Sequence, residues 1–308
     1  MTEEEFDQLR ASAFAIAYRM LGSVSEAEDV VQEALLRLYR AEQEGERIES
    51  PRAYVSTVVT RLAIDQLRSA RVRRETYVGE WLPEPLVDDP ESDPARHAEI
   101  ADSLSLAFLV LLESLSPEQR AVFLLREVFD YPYDRIAEIV DKSEPNVRQL
   151  ASRARQHVEG GRVRYDASRE QREELADRFF AAAAGGDMDA LETLLAEDVE
   201  LHGDGGGKAP ALARALFGRS RVARTLRNWA RIAPRIGGVE SRRVDVNGQP
   251  GAMLLTADGR IVSVMALDIA EGQIQGIRSV VNPEKLRHLG EVANTSELLE
   301  RGASPRVS

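Results

Sequence analysis

Residues 116–158, SPEQRAVFLLREVFDYPYDRIAEIVDKSEPNVRQLASRARQHV, read as a helix-turn-helix whose last helix has one dry side and one polar side. Ser116 and Pro117 supply an N-cap and a first-turn proline for a helix that runs to about Phe129, where a Tyr-Pro pair breaks it. A short helix over residues 134–140 places Ile136, Ala137 and Val140 on one face, and the polar Asp-Lys-Ser turn delivers Ser143 as the next N-cap. In the final helix Val147, Leu150, Ala151, Ala154 and Val158 recur at helical spacing and share a stripe. Asn146, Gln149, Ser152, Arg153 and Gln156 therefore face elsewhere, with Arg148 and Arg155 beside them. That set suits the DNA major groove, where a guanidinium pairs with guanine, amides pair with adenine, and hydroxyls and further arginines take phosphates. The same pattern also describes an amphipathic surface helix whose charges are merely solvated.

With 308 residues, 43% of them hydrophobic, the chain is long enough for two or three domains with ordinary cores. It has no cysteine, which excludes structural disulfides and thiolate zinc sites. His97, His157, His202 and His288 are too scattered for a ligand cluster, so neither a metal nor a cofactor is expected. The opening MTEEEFDQLR is acidic where a signal peptide is basic, and the longest apolar run, residues 104–112, falls far short of the roughly 20 residues that span a bilayer. A cytoplasmic protein without a membrane partner is the expectation. The net charge of −12 has the wrong sign for a DNA binder, but distribution outweighs the sum. Arg61, Arg68, Arg71, Arg73 and Arg74 stand against the single acid Asp65, and Arg148, Arg153, Arg155, Arg162 and Arg164 against Glu159. Two local basic zones in an acidic chain suit a protein that meets DNA once another component has brought it there.

The first segment, residues 1–77, is helical by pattern: Phe14, Tyr18 and Leu21, then Val31, Leu35 and Leu38, flank a turn at Gly22 and Ser25. Ser50-Pro51 opens another long helix with Val55, Val58, Val59 and Leu62 as its dry stripe. Thr57, Arg61, Arg68 and Arg71 fall on a different face that suits phosphates and bases, although Ile64 and Leu67 lie near it, so that face is not cleanly polar and part of it is a candidate for core. From Tyr77 to about Arg96 four prolines and six acids mark a self-repelling linker, assigned to residues 78–103. Trp81 is its odd member, since a tryptophan in a polar strip gains free energy only by docking on a surface. The helix-turn-helix domain follows at 104–161, and a charged connector occupies 162–170.

Residues 171–292 change character. Two helices separated by a Gly-Gly-Asp break precede DVELHGDGGGK, and a further helix carries Trp229. From Val239 short strands alternate with hairpin signals at NGQP and EG, which predicts an α+β domain with a helix-backed, curved antiparallel sheet. DGGGK is no nucleotide P-loop, because the spacing and the following Ser or Thr are missing. Its glycines permit close backbone approach and positive φ, while Asp204 and Lys208 offer charge to a partner segment; a flexible hairpin loop is the plain alternative. Asn282-Pro283 reads as the cap and first turn of a short helix bearing Lys285, and residues 293–308 as a disordered tail.

The helix-turn-helix and the segment SEAEDVVQEALLRLYR at 25–40 resemble regions 4 and 2 of bacterial extracytoplasmic-function sigma factors, the small specificity subunits of RNA polymerase. The resemblance implies two all-α sigma domains, with region 2 binding core polymerase and the −10 promoter element and region 4 reading the −35 element. It places Asp29, Gln32, Glu33 and Leu36 on the polymerase-gripping face, and those residues do point away from the Val31, Leu35 and Leu38 stripe. The second half resembles the SnoaL-like fold. WLPEP (Trp81, Leu82, Pro83, Glu84, Pro85), DGGGK (Asp204, Gly205, Gly206, Gly207, Lys208) and NPEKL (with Asn282, Pro283 and Lys285), in that order, resemble the sigma-J-like subgroup, in which a fused SnoaL-like domain controls the sigma factor from within the chain. Glu284 stands where that subgroup commonly has aspartate, a conservative departure.

Two other readings compete. SnoaL-like folds include cyclases and isomerases, and His202, Asp204 and Trp229 are candidates to line such a pocket, but no paired acid and base identifies a reaction. A free-standing ligand-responsive repressor leaves the first basic helix and the 25–40 face without a role. The expected partners are core polymerase and promoter DNA, with an unidentified small ligand of the C-terminal domain left open.

Overall fold

The computed structural model describes residues 2–88, 104–160, 168–236 and 238–303, with the side chains of 70–75, 235–236 and 301–303 also outside the description. Two compact units emerge: Met1–Thr76 with Leu109–Arg162, and Tyr77–Phe108 with Val163–Ser308.

The first unit is helical. A Thr2–Glu5 capping box opens α1 (Glu3–Leu21), Gly22 ends it in the left-handed conformation at φ 66°, and Ser23 immediately caps α2 (Val24–Gln43). Both pack on α3 (Pro51–Glu75). The buried stripe of α3 is broader than the sequence suggests: Val55, Val59, Ala63, Ile64 and Leu67 are core, whereas Val58 and Leu62 are only half-buried. The reason is tertiary, because α3 is flanked by α1 and α2 and also by the downstream helices. After α4 (Leu106–Leu112), a Ser116–Gln119 capping box starts α5 (Pro117–Phe123). The single helix expected up to Phe129 instead widens into a π-helical turn at Leu124–Val128, and Asp130 at φ 52° turns the chain out of it. The helices α6 (Tyr133–Val140) and α7 (Glu144–Glu159) complete the unit. Val122, Leu125, Ile136, Ile139, Val147 and Ala151 form their shared core. Arg120, 2% exposed, ties the two helical groups together by donating to Met20 O at 2.7 Å and Leu112 O at 3.0 Å while pairing with Glu113 at 2.7 Å. Its charge needs all three partners, since burial pulls its pKa down to about 9.

The second unit is a seven-stranded sheet backed by helices. Along the chain come β1 (Val87–Asp88), α8 (Arg169–Gly185), α9 (Met188–Leu194), β2 (Leu195–Asp204), β3 (Leu216–Phe217), α10 (Arg219–Ile232), β4 (Glu240–Val246), β5 (Gln249–Leu255), β6 (Ile261–Ala270), β7 (Gln273–Val280), α11 (Pro283–Leu286) and α12 (Thr295–Ala303). The strand order is β1-β4-β5-β6-β7-β2-β3. The sheet is mixed rather than purely antiparallel: β2 is separated from β7 by helix and hairpins and returns beside it in parallel. Both hairpin signals form as read, with Asn247-Gly248 and Glu271-Gly272 all at positive φ. Phe179, Leu191, Leu201, Val222, Leu267 and Ile277 sit in the core between sheet and helices, with Trp229 packed against it. The tail expected to be disordered from 293 carries α12, whose start is held by Asn294 exchanging hydrogen bonds with Glu297. No helix among the described residues is long and apolar enough to cross a membrane.

Candidate nucleic-acid interface and linker dock

The polar face of α7 is open. Val147, Ala151, Ala154 and Val158 point inward, whereas Asn146, Arg148, Gln149, Ser152, Arg153 and Arg155 are exposed. Ser143 occupies the N-cap position, but its side chain makes no capping bond and is exposed to solvent. Two of the arginines are held by protein: Arg148 pairs with Glu144 and stacks 4.3 Å from the Tyr133 ring centre, and Arg155 binds Glu127 at 2.5 Å. Such exposed pairs are weak, so phosphates can displace them.

The basic face of α3 is committed differently. Arg61 donates from Nε to Ile139 O and from Nη2 to Glu138 O, both at 2.9 Å, which closes two carbonyls at the end of α6. Arg68 binds Glu118 at 2.6 Å and Asp65 at 3.1 Å. Thr57 donates to Ala53 O within its own helix. The side chains of Arg71, Arg73 and Arg74 lie outside the described residues. On α2, Asp29, Gln32 and Leu36 are exposed, and half-buried Glu33 pairs with Arg37 at 2.7 Å. Tyr39, 59% exposed, continues the Gln32 and Leu36 line at the next helical step. The i, i+4, i+7 spacing of Gln32, Leu36 and Tyr39 is the sequence signal for that line.

The linker strip 77–88 lies on the sheet unit, and Asp204 organises it. Its carboxylate is 0% exposed and accepts from Tyr77 Oη at 2.6 Å, Leu82 N at 2.8 Å and Lys285 Nζ at 2.7 Å. Its carbonyl accepts from Val281 N and Asn282 N. Lys285, 7% exposed, also donates to Leu82 O and sits 4.3 Å from the Trp81 ring centre and 5.0 Å from that of Tyr77. Burial and the Asp204 carboxylate together push the Tyr77 hydroxyl above its ordinary range, so it stays a donor. The buried anchor is Leu82, 1% exposed, with Pro83 and Pro85 beside it, while Trp81 is half-buried and covers Lys285. Leu86 exchanges bonds with Asn247 at 2.9 Å, His288 donates to Pro85 O, and β1 joins β4.

The glycines of DGGGK have steric reasons. A Cβ on Gly205 would meet Ala209 O at 2.2 Å, and one on Gly206, at φ 58°, would meet Asn282 Nδ2 at 2.3 Å and Tyr77 Oη at 2.9 Å. Lys208 pairs with Glu284 at the surface, so the buried counter-charge of Asp204 is Lys285 alone of the two lysines. Asn282 caps α11 by accepting from Glu284 N and donates to Tyr77 Oη, and Pro283 fills its first turn. At the strip's start Glu80 binds His202 Nδ1 at 2.8 Å, and Glu200 binds Nε2 at 2.8 Å. Burial alone would lower the His202 pKa, but the two carboxylates outweigh it and raise it; His202 in turn lowers that of Glu200. Neither His202 nor Asp204 joins Trp229, which packs on the Leu201 side of β2, so the candidate enzyme constellation does not assemble.

Residues 6–73 match the model of sigma-70 region 2, and residues 105–158 that of sigma-70 region 4. The chain is 38% identical to the ECF RNA polymerase sigma factor SigJ of Mycobacterium tuberculosis, covering 99% of this chain and 97% of SigJ. A second M. tuberculosis protein, described as the probable ECF RNA polymerase sigma factor SigI, is 34% identical over 90% of this chain and 92% of its own. The crystal structure of M. tuberculosis SigJ superposes with a TM-score of 0.75 at 35% identity, over 93% of this chain and 98% of that one. The chain belongs to the extracytoplasmic-function sigma factors. This sigma factor is thus a non-enzymatic subunit that binds RNA polymerase core and promoter DNA to start transcription, and its C-terminal unit is a SnoaL-like extension. Sequence reasoning missed Tyr77, Glu80, Asn247, His202 as a linker partner, and His288: each is an ordinary polar residue whose role exists only once the strip is laid on the sheet.

Proposed function

We propose that this sigma factor binds the −35 element with Ser143, Asn146, Arg148, Gln149, Ser152, Arg153 and Arg155, and the −10 element with Thr57, Arg61, Arg68, Arg71, Arg73 and Arg74. Exposure of the α7 face supports the first assignment. Engagement of the second set includes exchanging the α6 carbonyls and Glu118 for DNA at Arg61 and Arg68. Asp29, Gln32, Glu33 and Leu36, extended by Tyr39, grip the polymerase.

The docked strip is the chain's own control element, and the observation that carries this reading is the buried Asp204 carboxylate with its three donors. Prolines pre-extend the strip, which lowers the entropy lost on docking, and a tethered partner acts at high effective concentration. Release, by polymerase or by a small ligand of the second unit, shifts the equilibrium toward the active form. Tryptophan fluorescence tests it in a full chain carrying Trp229→Phe, which leaves Trp81 as the only reporter. Trp81 is expected to emit as a shielded ring and to shift to the red in Asp204→Ala. A fully solvated Trp81 in the chain that retains Asp204 contradicts the reading.

A further inference from the structure

Between Asp204 and Glu240 the chain has no acidic residue, yet that stretch carries seven arginines and one lysine. With those eight charges set aside, the net charge falls from −12 to −20, so this segment, like the basic zones at 61–74 and 148–164, reverses the sign of the protein. Most of it is α10. Val222, Ala223 and Leu226 turn inward and are buried, while Arg221, Arg224, Asn228 and Arg231 are exposed. Offsets of three, four and three residues put those four on one stripe, about 15 Å long at roughly 1.5 Å per residue.

Among the described residues these three arginines have no acid or acceptor for their guanidinium groups, whereas Arg37, Arg148, Arg155 and Arg243 are each paired with a carboxylate. Like charges three and four residues apart weaken a helix. A bound polyanion relieves that repulsion.

We propose that the outward face of α10 is a sequence-independent docking surface for duplex DNA, its arginines taking backbone phosphates. A membrane is a poor fit, because the apolar face of α10 is consumed by the core and leaves nothing to insert into lipid. An acidic protein partner is a poor fit as well, since the stripe has no aromatic or aliphatic centre of the kind that anchors protein interfaces. Phosphates ask only for donors, which guanidinium groups and the Asn228 amide supply. The chain already binds promoter DNA, so the duplex is present at high local concentration and a few added phosphate contacts count.

The first measurement is binding of a fluorescent non-promoter duplex to the full chain across a salt series. Replacing Arg221, Arg224 and Arg231 together by Gln should weaken binding several-fold near 0.1 M salt and reduce the slope of log K against log salt by about 2 to 3. The same triple replacement by Lys keeps the charge and should restore both, which separates charge from fold. The second is photo-crosslinking from p-benzoylphenylalanine at position 228 in the complex with core polymerase and promoter DNA, where label transfer to a DNA strand is expected. An unchanged salt slope in the Gln variant overturns the proposal, as does crosslinking to a polymerase subunit alone.

Discussion

Asp204 shows what one residue does here: fully buried, it closes a hydroxyl and an amide of the linker strip and an ammonium of α11 at once. Asp204→Asn leaves the Lys285 ammonium buried without its counter-charge, a loss expected to cost about 3 to 5 kcal/mol in urea unfolding of the full chain; an unchanged midpoint contradicts the pairing. The sequence made Asp204, Lys208 and Lys285 candidates for holding the linker, but only packing separates the buried lysine from the surface one. His202 adds a pH dependence. With a pKa raised above the ordinary 6.5 in the folded chain, the protonated ring stabilises the Glu80 contact fully below that ordinary value, and the contribution is lost as pH rises through the raised one. Arg278 opposes the charge and Glu80 and Glu200 favour it. Amide exchange in residues 77–86, corrected for intrinsic rates, should therefore quicken as pH rises above the ordinary histidine value in the unmodified chain and lose that step in His202→Gln. Identical profiles in the two proteins contradict it.

Elements with local punctuation were legible, and those fixed by neighbours were not. Ser116-Pro117, Asn282-Pro283 and the Asn-Gly and Glu-Gly hairpins form where the residues place them, because capping and positive φ are decided within a few residues. The long strand β2 follows α9 with no turn residue between them, so its alternation is easily lost in the preceding helical pattern. The stripe of α3 was legible in part, at Val55 and Val59, with Ile64 and Leu67 as candidates, because burial from several sides is a tertiary fact. For α7 the face was legible, and it carries the sharpest prediction. Arg153→Ala or Gln149→Ala should change base preference in the −35 element by about 1 to 3 kcal/mol if either makes a bidentate base contact, whereas Arg155→Ala should weaken all sequences alike. Binding of a set of single-base promoter variants reads this directly, and equal losses on every sequence for all three substitutions remove the base-reading assignment.

At the scale of the molecule, an acidic sigma factor gathers its two sigma regions into one compact unit and lays residues 77–88, from the segment between them, on the other. The docking tendency of the linker was legible in its prolines and Trp81, but the buried anchor is Leu82, with Trp81 half-buried over Lys285. The account makes the docked strip a restraint on initiation, so loosening the dock without touching either sigma region should raise activity. The most direct measurement is run-off transcription with core polymerase, comparing the unmodified full chain with full-length Asp204→Asn and with a chain ending at Gly160. Higher transcript yield from Asp204→Asn is predicted, with the shortened chain, which has also lost α10, as a second arm; equal or lower yield from Asp204→Asn contradicts the claim that the chain restrains itself.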